Sequence, residues 1–252
     1  MLAIDRYRRI LELLQENGSL RTMETAQELG VTDETVRKDF EALEKRGDLV
    51  RIHGGAGKPE RPRDLPFNER QLIRREEKRA IARAAATRIR ANETIFLDAS
   101  STVLTLTEFL PDLPLTIVTN ALNVFTALSD RPNLELICTG GLYDPRSRSF
   151  VGLTAEKALQ RYHIDRMFFS GNGVDISRGI SESQSQQAAF KERVIAYAED
   201  VVLLADHSKL GKKSAFFFAS PADLNCLVTD NGSDPEMIQE LRNAGIEVVQ
   251  HC

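Results

Sequence analysis

Small polar and charged residues follow the short apolar segments in the second part of the chain, and their types could bind an anion. Hydroxyl groups and free backbone N–H groups at the start of a helix hold phosphate oxygens well. The five polar segments are Asp98-Ala99-Ser100-Ser101-Thr102, Thr119-Asn120, Thr139-Gly140-Gly141, Ser170-Gly171-Asn172-Gly173 and Asp206-His207-Ser208-Lys209-Leu210-Gly211. One such segment alone is more often a helix cap or a turn. Five of them at one edge of a sheet predict a pocket for a small anionic ligand.

A second group of residues, nearer the N-terminus, has the types that contact DNA. An arginine can donate two hydrogen bonds to guanine, and a threonine can meet a phosphate or a thymine methyl group. The candidate DNA-contacting residues are Thr32, Thr35, Arg37, Lys38, Arg51 and His53. For His53 the alternative is a solvated surface residue without a role.

Three helices are predicted to position these residues. They cover residues 5–15, residues 23–29 and a segment that begins after its N-cap residue Thr32. Thr22 is expected to cap the second helix. In the third helix Val36, Phe40 and Leu43 recur at helical spacing. That spacing predicts a buried stripe and turns the opposite, polar face outward.

A strand and a turn follow the third helix. Residues 49–53 alternate like a strand, and residues 54–55 are two glycines that form a turn, which together predict the wing of a winged helix-turn-helix. Asp39 would repel DNA, so we expect it to form an ion pair inside the bundle, with Arg37 or Arg46 as partner.

Short strands alternate with helices in residues 92–252. The predicted strands are Thr94–Leu97, Leu115–Val118, Leu134–Cys138, Arg166–Phe169, Val201–Ala205, Cys226–Val228 and Glu247–Val249. The predicted helices are Ala121–Leu128, Ala155–Tyr162, Ser185–Ala198 and Glu236–Ala244. This alternation predicts an α/β, Rossmann-like fold with a mostly parallel sheet. Ligands of such folds bind at the carboxyl ends of the strands.

The chain is therefore expected to have three parts. These are a DNA-binding domain over residues 1–57, a linker and connecting helix over 58–91, and an effector-binding domain over 92–252. Two prolines between Lys58 and Asp64 predict an extended connector. Residues 68–90 then predict one long basic helix, whose apolar side carries Ile73, Ala80, Ile81, Ala84 and Ala85.

Composition and charge narrow the class of protein. The net charge is −2 over residues 1–55, +5 over 56–95 and −7 over the rest, which suits a DNA reader attached to a domain that does not bind DNA. No apolar run is long enough for a membrane span, and the N-terminus does not resemble a signal peptide, so we expect a cytoplasmic protein without membrane contact. The three scattered cysteines lack metal-ligand spacing, and neither a metal nor a cofactor is expected.

The segment VTDETVRKDFEALEKRGDLVRIHGGA resembles the winged helix-turn-helix signature of the DeoR family of bacterial transcription regulators. Thr32 stands where the family usually has serine, and Phe40 stands where it usually has leucine. Arg21 occupies a position where members often carry a serine helix cap. The resemblance continues through the whole chain.

The second part of the chain resembles the sensor domain of the same family. The matching motifs are Asp98–Thr102, Thr119-Asn120, Gly140-Gly141 and Asp206–Gly211. That domain is similar in fold to ribose-5-phosphate isomerase, and members bind phosphorylated sugars as effectors. The resemblance implies that Ser101 and Thr102 hold the phosphate. The effector-binding residues that it implies are Asp98, Ser100, Ser101, Thr102, Thr119, Asn120, Gly140, Gly141, Gly171, Glu182, Lys191 and Lys209.

Two positions depart from the family pattern. Ser100 replaces a common glycine, and the resulting Ala-Ser-Ser-Thr loop resembles that of L-fucose operon regulators, which points to a deoxyhexose phosphate. Gln187 replaces a common glutamate four residues before Lys191, which could alter the choice of sugar.

The resemblance implies a DNA-binding regulator of a sugar catabolic operon and not an enzyme. Its partners would be operator DNA, a phosphorylated sugar and further copies of itself, since two half-sites raise specificity. Most relatives are repressors, and the sequence leaves repressor or activator open. The alternative is a sugar-phosphate isomerase with an appended DNA-binding head, in which Asp98, Asp175 or Glu182 would be the base and Lys209 would stabilise the enediolate.

Overall fold

The computed structural model describes residues 3–46, 48–58 and 65–251. It divides into two compact units, Met1–Leu65 and Pro66–Cys252. Most of the predicted extended connector, residues 59–64, lies outside the described residues. Within the described part of the chain, no helix is long and apolar enough to cross a membrane.

The first unit contains three helices and a small antiparallel sheet. Its elements are α1 (Ala3–Asn17), β1 (Ser19–Arg21), α2 (Thr22–Leu29), α3 (Asp33–Arg46), β2 (Val50–Ile52) and β3 (Gly55–Gly57). The strands lie in the order β1-β3-β2. The predicted helices and wing are confirmed, and β1 is a third strand that the sequence did not predict.

The packing of α3 follows its apolar spacing. Val36, Phe40 and Leu43 are buried in one hydrophobic cluster with residues of α1 and α2. Asp39 forms the expected internal ion pair, but its partner is Arg6 of α1, with Arg6 Nε 2.7 Å from Asp39 Oδ2. Arg37, one of the two predicted partners, is exposed instead. The side chain of Arg46, the other, lies outside the described part of the chain.

Thr22 has a different role from the predicted helix cap. Arg21 occupies the N-cap position of α2, without a side-chain cap bond. The Thr22 hydroxyl instead donates to the Gly54 carbonyl oxygen at 3.1 Å, so it ties α2 to the turn of the wing. Gly55 is required beside it, because a Cβ atom there would lie 1.9 Å from the Leu20 carbonyl oxygen. A hydrogen bond to a residue distant in sequence, Gly54, thus replaces the predicted capping bond within α2.

The second unit holds the remaining elements. Its helices are α4 (Phe67–Leu72), α5 (Arg75–Ala86), α6 (Ser101–Leu106), α7 (Leu122–Leu128), α8 (Leu153–Leu159), α9 (Ser185–Ile195) and α10 (Pro235–Asn243). Its strands are β4 (Thr94–Leu97), β5 (Leu115–Thr119), β6 (Leu134–Cys138), β7 (Leu142–Asp144), β8 (Ser149–Val151), β9 (Ile164–Phe169), β10 (Gly173–Asp175), β11 (Gly179–Glu182), β12 (Ala198–Leu204), β13 (Phe216–Ala219), β14 (Cys226–Asp230) and β15 (Glu247–His251). The predicted strands and helices of this part are confirmed, with small shifts at their ends.

Seven strands form one parallel sheet in the order β15-β14-β12-β9-β4-β5-β6. Successive residues of β4 point to opposite faces, so that Ile95 and Leu97 join one hydrophobic cluster and Phe96 the other. Helices α5, α6 and α7 cover the first face, and α8, α9 and α10 cover the second. The predicted α/β, Rossmann-like architecture is confirmed.

Two small antiparallel sheets were not predicted. One contains β10, β11 and β13, and the other is the β7–β8 hairpin. Their strands have three or four residues each, too few for an alternating apolar pattern to be recognised. Both matter for the site, because β11 ends in Glu182 and β8 begins with Ser149.

The long helix predicted over residues 68–90 is wrong. The chain forms α4 and α5 with a sharp break between them, where Arg74 adopts a left-handed conformation with φ of 51°. Ala80, Ile81, Ala84 and Ala85 are buried as predicted, but Ile73 is exposed. The Lys78 ammonium donates to the carbonyl oxygens of Arg70 and Ile73, which stabilises the break by replacing the missing helical bonds.

Candidate functional site

The sheet reverses its direction of winding between β4 and β9. The chain runs from β4 through β5 to the edge strand β6, then crosses back to β9 on the other side of β4. Such a switch point leaves a crevice at the carboxyl ends of the two strands. Asp98 and Ser170 follow β4 and β9, so both stand at this crevice. The Asp98 carboxylate joins the two loops, accepting from Ser100 N at 2.8 Å and from Ser170 N at 3.2 Å.

Lys191 of α9 occupies the floor of the crevice. Its Nζ lies 3.1 Å from Asp98 Oδ2 and 2.6 Å from Glu182 Oε1, and it donates to the Ser170 carbonyl oxygen at 2.6 Å. Burial by itself lowers the pKa of Lys191, but the attraction of Glu182 and Asp98 outweighs burial, and the pKa is raised. Lys191 is therefore a permanent cation whose charge is already balanced by two carboxylates.

Lys209 lies beside this group, after β12. Its Nζ donates to Ser170 Oγ at 2.7 Å, and that hydroxyl donates in turn to the Leu204 carbonyl oxygen at 2.5 Å. Burial lowers the pKa of Lys209, and the nearby Asp206 carboxylate offsets only part of that effect. The protonated form of Lys209 is thus destabilised, which a bound anion would reverse.

A second buried lysine, Lys78 of α5, is close to Lys209. It holds the end of α4, where the Ser101 hydroxyl also approaches the Arg70 carbonyl oxygen at 3.5 Å. Burial and the neighbouring positive charge of Lys209 lower the pKa of Lys78 to about 8. Among the described residues, neither Lys78 nor Lys209 forms an ion pair with a carboxylate. The crevice therefore contains two ammonium groups without a direct counter-charge, one on the buried Lys78 and one on the half-buried Lys209.

Several buried polar atoms near the crevice lack a hydrogen-bond partner within the described residues. They are Thr102 Oγ1, Asn120 Oδ1, Arg70 Nε and Ser183 Oγ. Buried polar atoms are nearly always paired in folded proteins. Thr102 is fully buried, so its hydroxyl is cut off from bulk solvent and has no partner among the described residues.

Arg74, at the break between α4 and α5, contacts the loop that carries Lys209. Its Nε lies 3.4 Å from Asp206 Oδ1, and its Nη1 lies 3.2 Å from His207 Nε2. His207 Nδ1 lies 2.6 Å from Asp230 Oδ2. Because an arginine nitrogen can only donate, His207 Nε2 is the acceptor. The ring proton is then on Nδ1, which donates a hydrogen bond to Asp230. These contacts connect the Lys209 loop to the residues just before α5.

The structure brings most of the predicted effector-binding residues to this crevice. Some of them, however, form hydrogen bonds with the backbone or are required by local packing. Ser100 Oγ accepts from Val103 N and caps α6. The Thr119 hydroxyl donates to the Leu97 carbonyl oxygen at 2.6 Å. A Cβ atom at Gly141 or Gly171 would collide with Val151 O at 2.8 Å or Ile180 Cγ2 at 2.7 Å, so close packing explains both glycines, and Gly140 has a φ of 61° that favours glycine.

Sequence reasoning missed Arg70, Arg74 and Lys78 as members of the site, and it gave Ser170 only as part of a polar segment. The available signal was the concentration of basic residues in 70–79, within a segment that also carries buried alanines. That segment was interpreted as a connecting helix, whereas the structure packs it on the sheet.

In the first unit, Arg37 of α3 and Arg51 of β2 line one groove of about 310 Å³, together with Thr22, Met23, Phe40, Ile52, Gly54 and Gly55. Glu44 of α3 accepts from Arg51 N at 2.9 Å and so holds the wing against the helix. The groove presents two exposed guanidinium groups, one from the helix and one from the wing.

The other predicted DNA-contacting residues lie outside that groove. Thr32 caps α3, with its Oγ1 accepting from Thr35 N at 3.3 Å. Lys38 is exposed and lies 3.8 Å from Glu34. His53 is exposed in the turn of the wing. All are on the surface of the unit, as a contact with DNA requires.

A winged helix-turn-helix unit and a Rossmann-like unit with a cationic crevice define a ligand-responsive DNA-binding protein. The family model described as DeoR C terminal sensor domain matches residues 73–231, and the one described as DeoR-like helix-turn-helix domain matches residues 6–61. The chain belongs to the DeoR family of transcriptional regulators.

Three relatives illustrate the membership. The chain is 37% identical to YulB, an HTH-type transcriptional regulator of Bacillus subtilis, over 98% of this chain and 96% of the relative. It is 35% identical to the L-fucose operon activator of Haemophilus influenzae, over 92% and 93%. It is also 35% identical to the lactose phosphotransferase system repressor of Staphylococcus epidermidis, over 90% and 92%.

Among solved structures, ribose 5-phosphate isomerase A of Methanocaldococcus jannaschii aligns over 54% of each chain, with a TM-score of 0.41 and 16% identity. This likeness is too distant to support an inference about activity.

Proposed function

We propose that this protein is a transcriptional regulator that binds operator DNA through its first unit and a phosphorylated sugar in the crevice of its second. The observation that carries the ligand class is a pair of ammonium groups, those of the buried Lys78 and the half-buried Lys209, that form no ion pair with a described carboxylate. A phosphate dianion would supply the missing charge, and the unpaired Thr102 hydroxyl would donate to it.

The regulated genes would belong to a sugar catabolic operon. One relative is named as the activator of an L-fucose operon and another as the repressor of a lactose phosphotransferase system. We infer repression as the default mode, with the effector releasing the protein from its operator. A change in operator affinity of this kind corresponds to a coupling free energy of about 1–3 kcal/mol.

The domain boundaries follow from this function. We infer that residues 1–57 read DNA, that 92–252 bind the effector, and that 58–91 link the two. The break between α4 and α5 supports the last inference. Lys78 holds the Arg70 carbonyl oxygen, which the Ser101 hydroxyl also approaches where the loop after β4 enters α6, and Arg74 contacts the Lys209 loop. A ligand that moves either loop would move the segment as well.

We infer that the protein acts on DNA as a homo-oligomer in the cytoplasm. Two recognition helices that meet successive half-sites give the specificity that one helix lacks. A regulator must share a compartment with its DNA, and the cysteine content does not call for an oxidising environment.

We infer binding rather than turnover at the crevice. Glu182 and Asp98 are the carboxylates closest to its centre, and both are held by the Lys191 ammonium. Asp98 also accepts two backbone N–H bonds. The carboxylate oxygens are thus already engaged by the chain itself and are not placed to take a proton from a substrate carbon, which disfavours the isomerase alternative.

A thermal-shift screen tests the proposal directly. The purified protein is melted with each of a panel of phosphorylated sugars and with the same sugars without phosphate. We expect a raised melting temperature for phosphorylated compounds alone, and a gel shift with the upstream DNA of its own operon should respond to the same compound. Equal responses to both sets, or to neither, would remove the sugar-phosphate assignment.

A further inference from the structure

Helix α9 places a second buried polar side chain, Gln187, one turn before Lys191. Both residues are buried on the same face of the helix. Gln187 is not part of the charged group around Lys191. Its Nε2 donates to Ser147 Oγ at 2.9 Å and to Ser149 Oγ at 2.8 Å. Ser149 is the first residue of β8 and Ser147 lies in the turn before it, so α9 is joined here to the β7–β8 hairpin.

The direction of these hydrogen bonds fixes the orientation of the Gln187 amide. The Ser147 hydroxyl donates to Asp144 Oδ2 at 2.5 Å, since a carboxylate can only accept. Ser147 therefore accepts from Ser149, whose oxygen lies 2.8 Å away, and from Gln187. A rotated amide would place Oε1 against the Ser147 oxygen, which has no proton left to give. Both hydrogens of Nε2 are thus committed, and Oε1 is directed away from the serines.

Asn120, at the carboxyl end of β5, repeats this arrangement. Its Nδ2 donates to the Phe150 carbonyl oxygen at 2.9 Å, and the backbone carbonyl oxygen of Asn120 accepts from Phe150 N at 2.8 Å. Its Oδ1 is buried without a partner among the described residues. Ala121, the residue after Asn120, forms a β-bridge with Ser149, which is one of the two serines bonded by Gln187. The side-chain amides of Asn120 and Gln187 therefore contact adjoining parts of the chain.

The side chains around the crevice therefore differ in hydrogen-bonding character. Donors are supplied by Thr102, Lys78 and Lys209. Gln187 uses both hydrogens of Nε2 internally and Asn120 uses one hydrogen of Nδ2, so that each amide presents its carbonyl oxygen. A group that binds these two oxygens must bring its own hydrogen-bond donor.

We propose that Gln187 is a specificity-determining residue that selects a phosphorylated ligand whose end remote from the phosphate carries a hydroxyl group, and that excludes a carboxylate there. Gln187 Oε1 and Asn120 Oδ1 accept from that hydroxyl. A sugar acid would place a negative oxygen against two carbonyl oxygens, with no proton between them. The class is thus a neutral sugar phosphate or sugar alcohol phosphate. This inference rests on the proposed function of the crevice.

The test compares pairs of probes that differ only in the terminal group. The pairs are erythritol 4-phosphate with 4-phosphoerythronate, ribitol 5-phosphate with 5-phosphoribonate, and glucitol 6-phosphate with 6-phosphogluconate, each titrated calorimetrically into the full-length protein. For the chain length that binds, we expect the alcohol to bind at least about tenfold more tightly than the acid. The reason is that the acid would leave the two buried carbonyl oxygens without a hydrogen-bond donor. Equal or tighter binding of the acid overturns the inference.

Two variants assign the selectivity to Gln187. Gln187→Met should weaken binding of the alcohol about tenfold and leave the affinity for inorganic phosphate unchanged. Gln187→Glu should favour a probe with a terminal ammonium group, the 1-amino-1-deoxy analogue of the same alcohol, over the alcohol itself. Gln186→Glu, at an exposed position of the same helix, is the matched control and should behave as the wild type.

The outcomes separate the two proposals. If the wild type binds inorganic phosphate and the probes but Gln187→Met keeps the full preference for the alcohol, the role of Gln187 is refuted and the sugar-phosphate function stands. If no phosphorylated probe binds, the inference about Gln187 is refuted, and the thermal-shift panel of phosphorylated sugars decides the proposed function separately. Should the Gln187 variants fail to fold, the preference of the wild-type protein for alcohol over acid still decides the ligand class.

Discussion

The Lys78 ammonium donates to the carbonyl oxygen of Arg70, so that a side chain from one helix closes the end of the helix before it. The same ammonium is buried close to Lys209, which is why the pKa of Lys78 is lowered to about 8. The junction between α4 and α5 is therefore held by an ammonium group whose protonation depends on the charges around it.

This lowered pKa predicts how stability changes with pH. Below about pH 8 both the folded and the unfolded chain keep the Lys78 proton; between about 8 and the ordinary lysine value of 10.5 only the unfolded chain keeps it. The unfolded state then binds more protons, so the contribution of Lys78 to the free energy of unfolding rises with pH across that window. The melting temperature of the wild type minus that of Lys78→Met should therefore increase as the pH is raised from about 8 to 10.5. The exposed Lys212→Met variant is the control, and a constant difference between wild type and Lys78→Met would contradict the burial effect.

Thr102→Val should separate ligand binding from folding. The substitution replaces a buried, unpaired hydroxyl with a methyl group, so the melting temperature of the protein alone should stay the same or rise. The thermal shift caused by the phosphorylated effector should be lost, because a hydrogen bond to a charged group contributes about 1.5–3 kcal/mol. Thr105→Val in the same helix, whose hydroxyl already bonds the Ser101 carbonyl oxygen, is the control and should keep the response. A full response in Thr102→Val would place the phosphate elsewhere.

Lys191→Met should destabilise the second unit strongly. It would leave the Asp98 and Glu182 carboxylates buried together without their shared cation. Removing one partner of a buried ion pair typically costs about 3–5 kcal/mol of unfolding free energy. Urea denaturation measures this loss, and adding Glu182→Gln to the variant should recover part of it, since one of the two repelling charges is then gone. An unchanged urea midpoint in Lys191→Met would show that the ion pairs of Lys191 with Asp98 and Glu182 contribute nothing to stability.

Arg37→Ala should abolish specific binding to the operator and leave the second unit intact. Losing a contact to a base edge costs about 1–3 kcal/mol and relaxes specificity at that position. Lys38→Ala is the matched comparison on the same helix, where loss of a phosphate contact should weaken binding to all DNA sequences alike. Gel-shift titrations with operator and unrelated DNA distinguish the two patterns. Operator affinity that is the same in Arg37→Ala and wild type would refute the role of Arg37, provided that its effector-induced thermal shift is preserved.

Local periodicity was sufficient to determine the main elements and the core. Val36, Phe40 and Leu43 are buried as their helical spacing requires, and β4 begins and ends where its apolar run does. These patterns are reliable because each face of a helix or strand must be either covered or solvated along its whole length. The anion-binding character of the strand ends was also visible in the sequence, since parallel strands bring their carboxyl ends to one edge.

Only the tertiary structure decided which long-range partner each polar group takes. Asp39 pairs with Arg6 rather than with its neighbour Arg37, Thr22 bonds the wing instead of capping its own helix, and Lys78 breaks a helix that the local pattern would continue. The orientation of Gln187 likewise depends on serines about forty residues away. A hydrogen bond is satisfied by whichever buried donor or acceptor the fold brings within reach, and spacing along the chain does not contain that information.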